Sequence, residues 1–243
     1  MPKPTFFNLP EDKRRRFTDA ALDEFALHDY RSASVSRIVS TLGIAKGSVY
    51  QYFEDKQELY LYLVTLAAQT KFECIDAAVR GEASVRGNVS APSSEPGFFE
   101  RYERTVYHGA RFDFTHPRHG TLLYNATYEP SGEMLAVSAR LREQSARYLR
   151  SLVEAGLATG DLRADLDVEF AVFALYQLTI SLRDYLSERF RFSFKGAVQA
   201  GAGPPISDEA LREVIAELAR LLRQGLGPVA TTTEKQRTQP RVC

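Results

Sequence analysis

Cysteine is nearly missing from this chain: Cys74 and Cys243 are the only two, one inside a helical pattern and one at the last position. A pair so placed excludes a disulfide framework and a cysteine zinc site. No uninterrupted apolar run approaches the roughly 20 residues of a membrane span. The first residues carry no apolar core of a secretory signal. Net charge is also lacking, because 31 basic and 31 acidic residues cancel, which argues against a generic polyanion binder while leaving room for a local basic face. Strand-like alternation, internal repeats, nucleophile elbows, phosphate-binding glycine loops and dinucleotide fingerprints are all missing, so an enzyme is not expected. These absences predict a soluble, all-α, cytoplasmic chain with no metal and no cofactor. His116 and His119 flank Pro117 with His108 nearby, but they lack the further ligands a metal needs.

What is present is helical periodicity and one dense motif. Residues 1–10 hold three prolines and are expected to form an arm. Phe17, Ala20, Ala21 and Phe25 share one face of a helix over 11–28. Ser34 is placed to cap a second helix with Val35, Ile38, Val39 and Leu42 inward, and Gly43 can take the positive φ that ends it. A third helix is expected over 46–53. Glu54 and Asp55 open a fourth, long helix, where acids suit the N-terminal dipole. Between Arg31 and Phe53 lie three basic residues (Arg31, Arg37 and Lys46) and no acid.

Residues 81–97, rich in Gly, Ser and Pro, read as a loop. Helices are expected at 97–114, at 117–128 and from a Ser131 cap to 158. A strongly apolar helix over 167–189 suggests burial on two sides. Residues 193–206 read as a loop. Ser207 caps a last helix with Leu211, Val214, Ile215, Leu218, Leu221 and Leu222 on one stripe, stopped by Gly225, Gly227 and Pro228. A tail from 228 is expected to be disordered.

The run GIAKGSVYQYFEDKQEL, Gly43 to Leu59, resembles the signature of the TetR family of bacterial transcriptional regulators, matching at Gly43, Lys46, Gly47, Tyr50, Tyr52, Phe53, Lys56 and Leu59. The specific similarity covers about residues 11–71, with the helix-turn-helix at 34–53; residues 72–227 match only as a helical body. Ala45 departs from the Ser or Thr usual before the lysine, which removes a helix cap worth about 1 kcal/mol.

The resemblance implies a head that lays its second short helix in the major groove. The residues carry the same reading. Lys46 brings charge and Gly47 close backbone approach. Ser48, Tyr50 and Tyr52 bring hydroxyls for phosphate, and Gln51 an amide suited to adenine. Lys56 stands where phosphate would also meet a helix N-terminus. Ser34, Ser36 and Arg37 complete the expected contact set.

The resemblance further implies a body that dimerises and binds a small effector. The last two long helices are the expected interface, and a twofold pair would read a palindromic DNA operator. An apolar or aromatic effector is expected among Tyr102, Tyr107, Arg111, Phe112, Tyr124, Asn125, Tyr128, Phe173, Tyr176 and Gln177, most of which are aromatic. A repressor released by that effector is expected. An activator would use the same head, and a helical enzyme or interaction module is the remoter alternative.

Overall fold

The computed structural model describes residues 1–80, 96–128, 130, 132–203 and 205–228. The loop expected at 81–97 falls almost wholly outside them, as do Ser131 and residues 229–243. Among the described residues every regular element is helical. The N-terminal part comprises α1 (Pro4–Phe7), α2 (Glu11–Leu27), α3 (Val35–Leu42) and α4 (Lys46–Tyr50). The long α5 (Lys56–Val79) leads into α6 (Phe98–Thr115), α7 (Pro117–Tyr128), α8 (Leu135–Thr159), α9 (Val168–Arg189), α10 (Phe194–Ala200) and α11 (Asp208–Leu226).

The local chemistry sets most of these ends. Gly43 adopts φ 67°, and the Ile44 N–H returns to the Val39 carbonyl at 3.1 Å, so α3 stops in a left-handed cap that a side chain would strain. Asp55 accepts the Glu58 N–H at 2.7 Å while Glu58 accepts the Glu54 N–H at 2.6 Å, a reciprocal cap that starts α5. Asp167 and Ser207 cap α9 and α11 through the N–H groups of Phe170 and Ala210. Ala45 occupies the cap position of α4 without a side-chain bond, as its methyl requires.

Three expectations are corrected. The N-terminal segment is not a free arm: α1 buries Phe6 completely against Phe17, Phe53 and Tyr62. Residues 193–206 are not all loop, because Ser193 caps α10 by accepting the Gly196 N–H at 3.2 Å, and Phe194 and Val198 anchor it. Gly225 does not stop the last helix, which continues through Leu226.

Two apolar cores result. One joins Phe6, Phe17, Phe25, Ile38, Val49 and Phe53 to Leu59 and Leu63 of α5 and to Leu122 and Ala126 of α7. The other joins Phe98, Tyr102 and Val106 of α6 to Leu149 of α8, Leu175 of α9 and Ile215 of α11. Helix α5 runs unbroken across residues 71–72, so head and body share it. It packs on α6 and α7, while α10 rests on both α7 and α2. No helix of the described residues is long and apolar enough to cross a membrane.

Candidate DNA interface and effector cavity

Helix α4 is five residues long and is anchored on one side. Val49 and Phe53 are buried, while Lys46, Gly47, Tyr50 and Gln51 are exposed and Ser48 is half-exposed. Lys46 makes no ion pair among the described residues. The α1 segment holds the other end. The Lys3 N–H donates to the Tyr52 carbonyl at 2.8 Å, Lys3 Nζ to the Tyr50 carbonyl at 3.0 Å, and the Thr5 hydroxyl to the Gln51 carbonyl. Three carbonyls that a five-residue helix leaves open are thereby satisfied. Lys3 and Thr5 were missed by sequence reasoning, since a proline-rich start gives no sign of where it folds back.

Lys56 is corrected from a DNA contact to a brace of the head, and Arg37, still half exposed, braces it as well. Arg37 Nε lies 3.0 Å from both oxygens of buried Glu24, and its Nη2 donates to Glu24 Oε1 and to the Ser32 carbonyl, each at 2.6 Å. Burial by itself raises the pKa of Glu24. The bonds from Arg37 and from the Ser34 N–H outweigh it and hold the carboxyl below its ordinary range. Lys56 Nζ donates to the carbonyls of Tyr30 at 2.8 Å, Ala33 at 3.2 Å and Arg31 at 3.3 Å, and sits 4.6 Å from the Tyr30 ring centroid. An ammonium has three donors, so none is left for phosphate. The spare positive charge of the 31–53 window is therefore Arg31 and Lys46.

Tyr52 is half-buried, its ring packed between Phe6 and Phe17 at 6.0 and 5.9 Å. Ser36 is exposed and Ser34 half-exposed, with no side-chain cap bond from the Ser34 hydroxyl.

The body contains a cavity of about 240 Å³ lined by α5, α6, α7, α8, α9 and the start of α10. Tyr124, Tyr128 and Tyr176 of the expected effector residues line it, and the Tyr128 and Tyr176 hydroxyls are 3.2 Å apart. The others do not. Tyr102 is core, its hydroxyl 2.9 Å from Thr179 Oγ1. Tyr107 is tied to Asp208 and receives bonds from Arg111 at 3.1 Å and Arg212 at 2.8 Å, so Tyr107 and Arg111 join α6 to α11. Phe112 stacks on His116 at 4.6 Å. Phe173 and Gln177 lie on the outer, exposed side of α9.

Asn125 lines a second hollow, a groove of about 600 Å³ between the end of α2 and the body. Tyr124, Arg183 and Phe194 line both hollows. Sequence reasoning missed Lys71, Asp113, Arg183 and Phe194. Charged residues scattered over three helices carry no shared pattern in the sequence.

The comparisons agree with this architecture. Residues 17–63 match the family described as "Bacterial regulatory proteins, tetR family". A TetR family transcriptional regulator from Chloroflexus aurantiacus J-10-FL is 37% identical, covering 93% of this chain and 99% of its own, with a TM-score of 0.71. The HTH-type transcriptional regulator YhgD of Bacillus subtilis is 20% identical over 171 residues, 70% of this chain and 82% of that protein. The HTH-type transcriptional repressor AcnR of Corynebacterium diphtheriae is 35% identical over 51 residues, 21% of this chain and 27% of that protein. An identity of 37% spanning head and body alike, together with the matched head and an exposed α4, places the chain among regulators rather than enzymes: it belongs to the TetR family of bacterial transcriptional regulators.

Proposed function

We propose that the chain acts in the cytoplasm as a homodimeric repressor. It binds a palindromic operator through α4 and leaves it when a small molecule enters the body cavity. The observation that carries the DNA reading is the two-sidedness of α4. Val49 and Phe53 fix it from behind, and Lys46, Ser48, Tyr50 and Gln51 stand free on the other side. Hydroxyls and an ammonium position the helix on phosphates, and Gln51 can meet a base edge. Ser34 and Ser36, at the start of α3, supply further phosphate donors.

Dimerisation is supported by the outer face of α9. Phe170 and Phe173 are 67% and 59% exposed, and Tyr185 on the same helix and Leu221 of α11 are 49% and 60% exposed. Large apolar side chains grouped on two helices favour a second copy over water. The switch is supported by the shared wall. A ligand that moves Arg183 or Tyr124 disturbs Phe194, and through it α10, which packs on α2. The effector shifts the equilibrium only by binding the DNA-incompetent state more tightly.

Selection of duplexes from a random pool by the purified protein, with sedimentation to read the oligomer, tests the reading. An enriched palindrome bound by a dimer supports it. A monomer, or no enriched sequence in the presence or absence of a metabolite extract, overturns it.

A further inference from the structure

The cavity is not uniformly apolar. Lys71 of α5, Asp113 of α6 and Arg183 of α9 are the charged residues on its wall. Lys71 Nζ donates to Asp113 Oδ1 at 2.7 Å. Arg183 Nη1 stands 3.8 Å from Asp113 Oδ2, beyond hydrogen-bond reach, and is buried without any hydrogen-bond partner. The rest of the guanidinium is held by one bond, Nη2 to Thr121 Oγ1 at 3.1 Å, and by the Phe194 ring 3.5 Å away. The Arg183 and Asp113 side chains are 11% and 13% exposed. Asp184, the other nearby acid, lies on the exposed groove side and takes the Tyr124 hydroxyl at 3.2 Å. The cavity wall thus carries two cations to one anion.

A buried charged donor without a hydrogen bond is destabilising, and a guanidinium fork matches a carboxylate in two parallel bonds. The remaining wall is uncharged and mostly aliphatic and aromatic, with Phe72, Ile75, Leu182 and Leu186 among its lining beside a few polar groups such as Gln144 and Thr179. A cavity of about 150 Å³ accepts benzene, so 240 Å³ suits one substituted ring or a short branched chain.

We infer that the effector is a small organic anion, a carboxylate on an aromatic or short aliphatic body, held by Arg183 and Lys71 of this cavity. The inference rests on the effector reading above and supplies its chemistry. The ligand's carboxylate competes with Asp113 for the two cations, and its apolar body fills the space beside Tyr128 and Tyr176. Because Arg183 Nη1 is covered, the guanidinium must turn from Phe194 to receive the carboxylate. That turn links occupancy of the cavity to α10.

The test is calorimetric titration of the full-length dimer with matched series: phenylacetate, phenylacetamide and phenethylamine, then hexanoate and hexanamide. Operator affinity is measured separately without any ligand. At least one carboxylate is expected to bind about tenfold or more tighter than its amide, with the amine weakest. Arg183→Met is expected to remove that preference and Arg183→Lys to retain part of it. Lys71→Gln, whose amide can still donate to Asp113, is expected to weaken the carboxylate without affecting the amide. Amides or amines binding as well as carboxylates, or no carboxylate binding at millimolar concentration, overturns the assignment. If operator binding holds while this preference fails, only the anion assignment falls. If operator binding itself fails, the regulator reading falls with it.

Discussion

The guanidinium carbon of Arg183 lies 3.5 Å from the centroid of the Phe194 ring, with the Tyr124 ring at 4.8 Å on another side. This stack is the partition between a cavity inside the body and a groove that opens on the head. Phe194 is buried and opens α10, whose other neighbours are α7 and α2. Phe194→Ala therefore removes both a cation–π partner and the anchor of α10. It is expected to lower stability by about 3 kcal/mol, measured by urea unfolding. An effector is expected to bind this variant yet release operator less completely. Unchanged stability and full release together would show that α10 is not the connecting element.

Lys46 and Lys56 separate a DNA contact from a brace. Lys46→Ala is expected to lower operator affinity and reduce the slope of log affinity against log salt by about 0.9, one phosphate's worth. Lys56→Met is expected to leave that slope unchanged and lower the unfolding midpoint, because the carbonyls of Tyr30, Arg31 and Ala33 lose their donor. Equal slope changes in the two variants would return Lys56 to the DNA surface.

Glu24 fixes the α2–α3 corner through Arg37 and the Ser34 N–H. Glu24→Ala leaves Arg37 and a backbone donor without their acceptor and is expected to cost about 2 kcal/mol, discounted for the half-exposed arginine. The folded pKa of this carboxyl is depressed. Its contribution is therefore full above the ordinary glutamate range and disappears as pH falls through the folded value. A wild-type acid-unfolding curve that Glu24→Ala reproduces unshifted would contradict this.

His119 gives a pH dependence at higher pH. Burial, aided by His116 and Arg118, pushes its pKa down to about 4, against an ordinary value of 6.5. The unfolded chain then binds the proton first. Stability is full above pH 6.5 and falls as pH drops from 6.5 toward 4. The loss is on the order of 1–2 kcal/mol, allowing for screening of a partly exposed ring. His119→Asn is expected to flatten this part of a stability–pH profile. A profile with the same slope in that variant would assign the dependence elsewhere.

The N-terminal segment is a further handle on α4. Removing the donors of Lys3 and Thr5 by truncating residues 1–5 frees the carbonyls of Tyr50, Gln51 and Tyr52. Amide exchange in α4 is expected to speed up, and operator affinity to fall without a change in half-site preference. Unaltered exchange would show that Val49 and Phe53 alone hold the helix.

The sequence by itself determined the helices and the head. Apolar spacing placed α2, α3, α5 and α9 to within a residue or so, Gly43 and Ser207 marked ends because caps are local chemistry, and the Gly43–Leu59 run carried the family. Tertiary structure decided what the long-range partners are. Arg37 and Lys56 look like DNA contacts in sequence, and only the nearby Glu24 and the Tyr30–Ala33 carbonyls show most of their donors already engaged. Proline spacing suggested a loose start, yet burial of Phe6 among the rings of Phe17, Tyr52, Phe53 and Tyr62 made it part of the core. The cavity was the least legible feature. Lys71, Asp113 and Arg183 are each unremarkable in their own helix, and they become one charged wall because α5, α6 and α9 converge there. Local propensity is written residue by residue; a binding wall is made of neighbours that the chain brings together only when it folds.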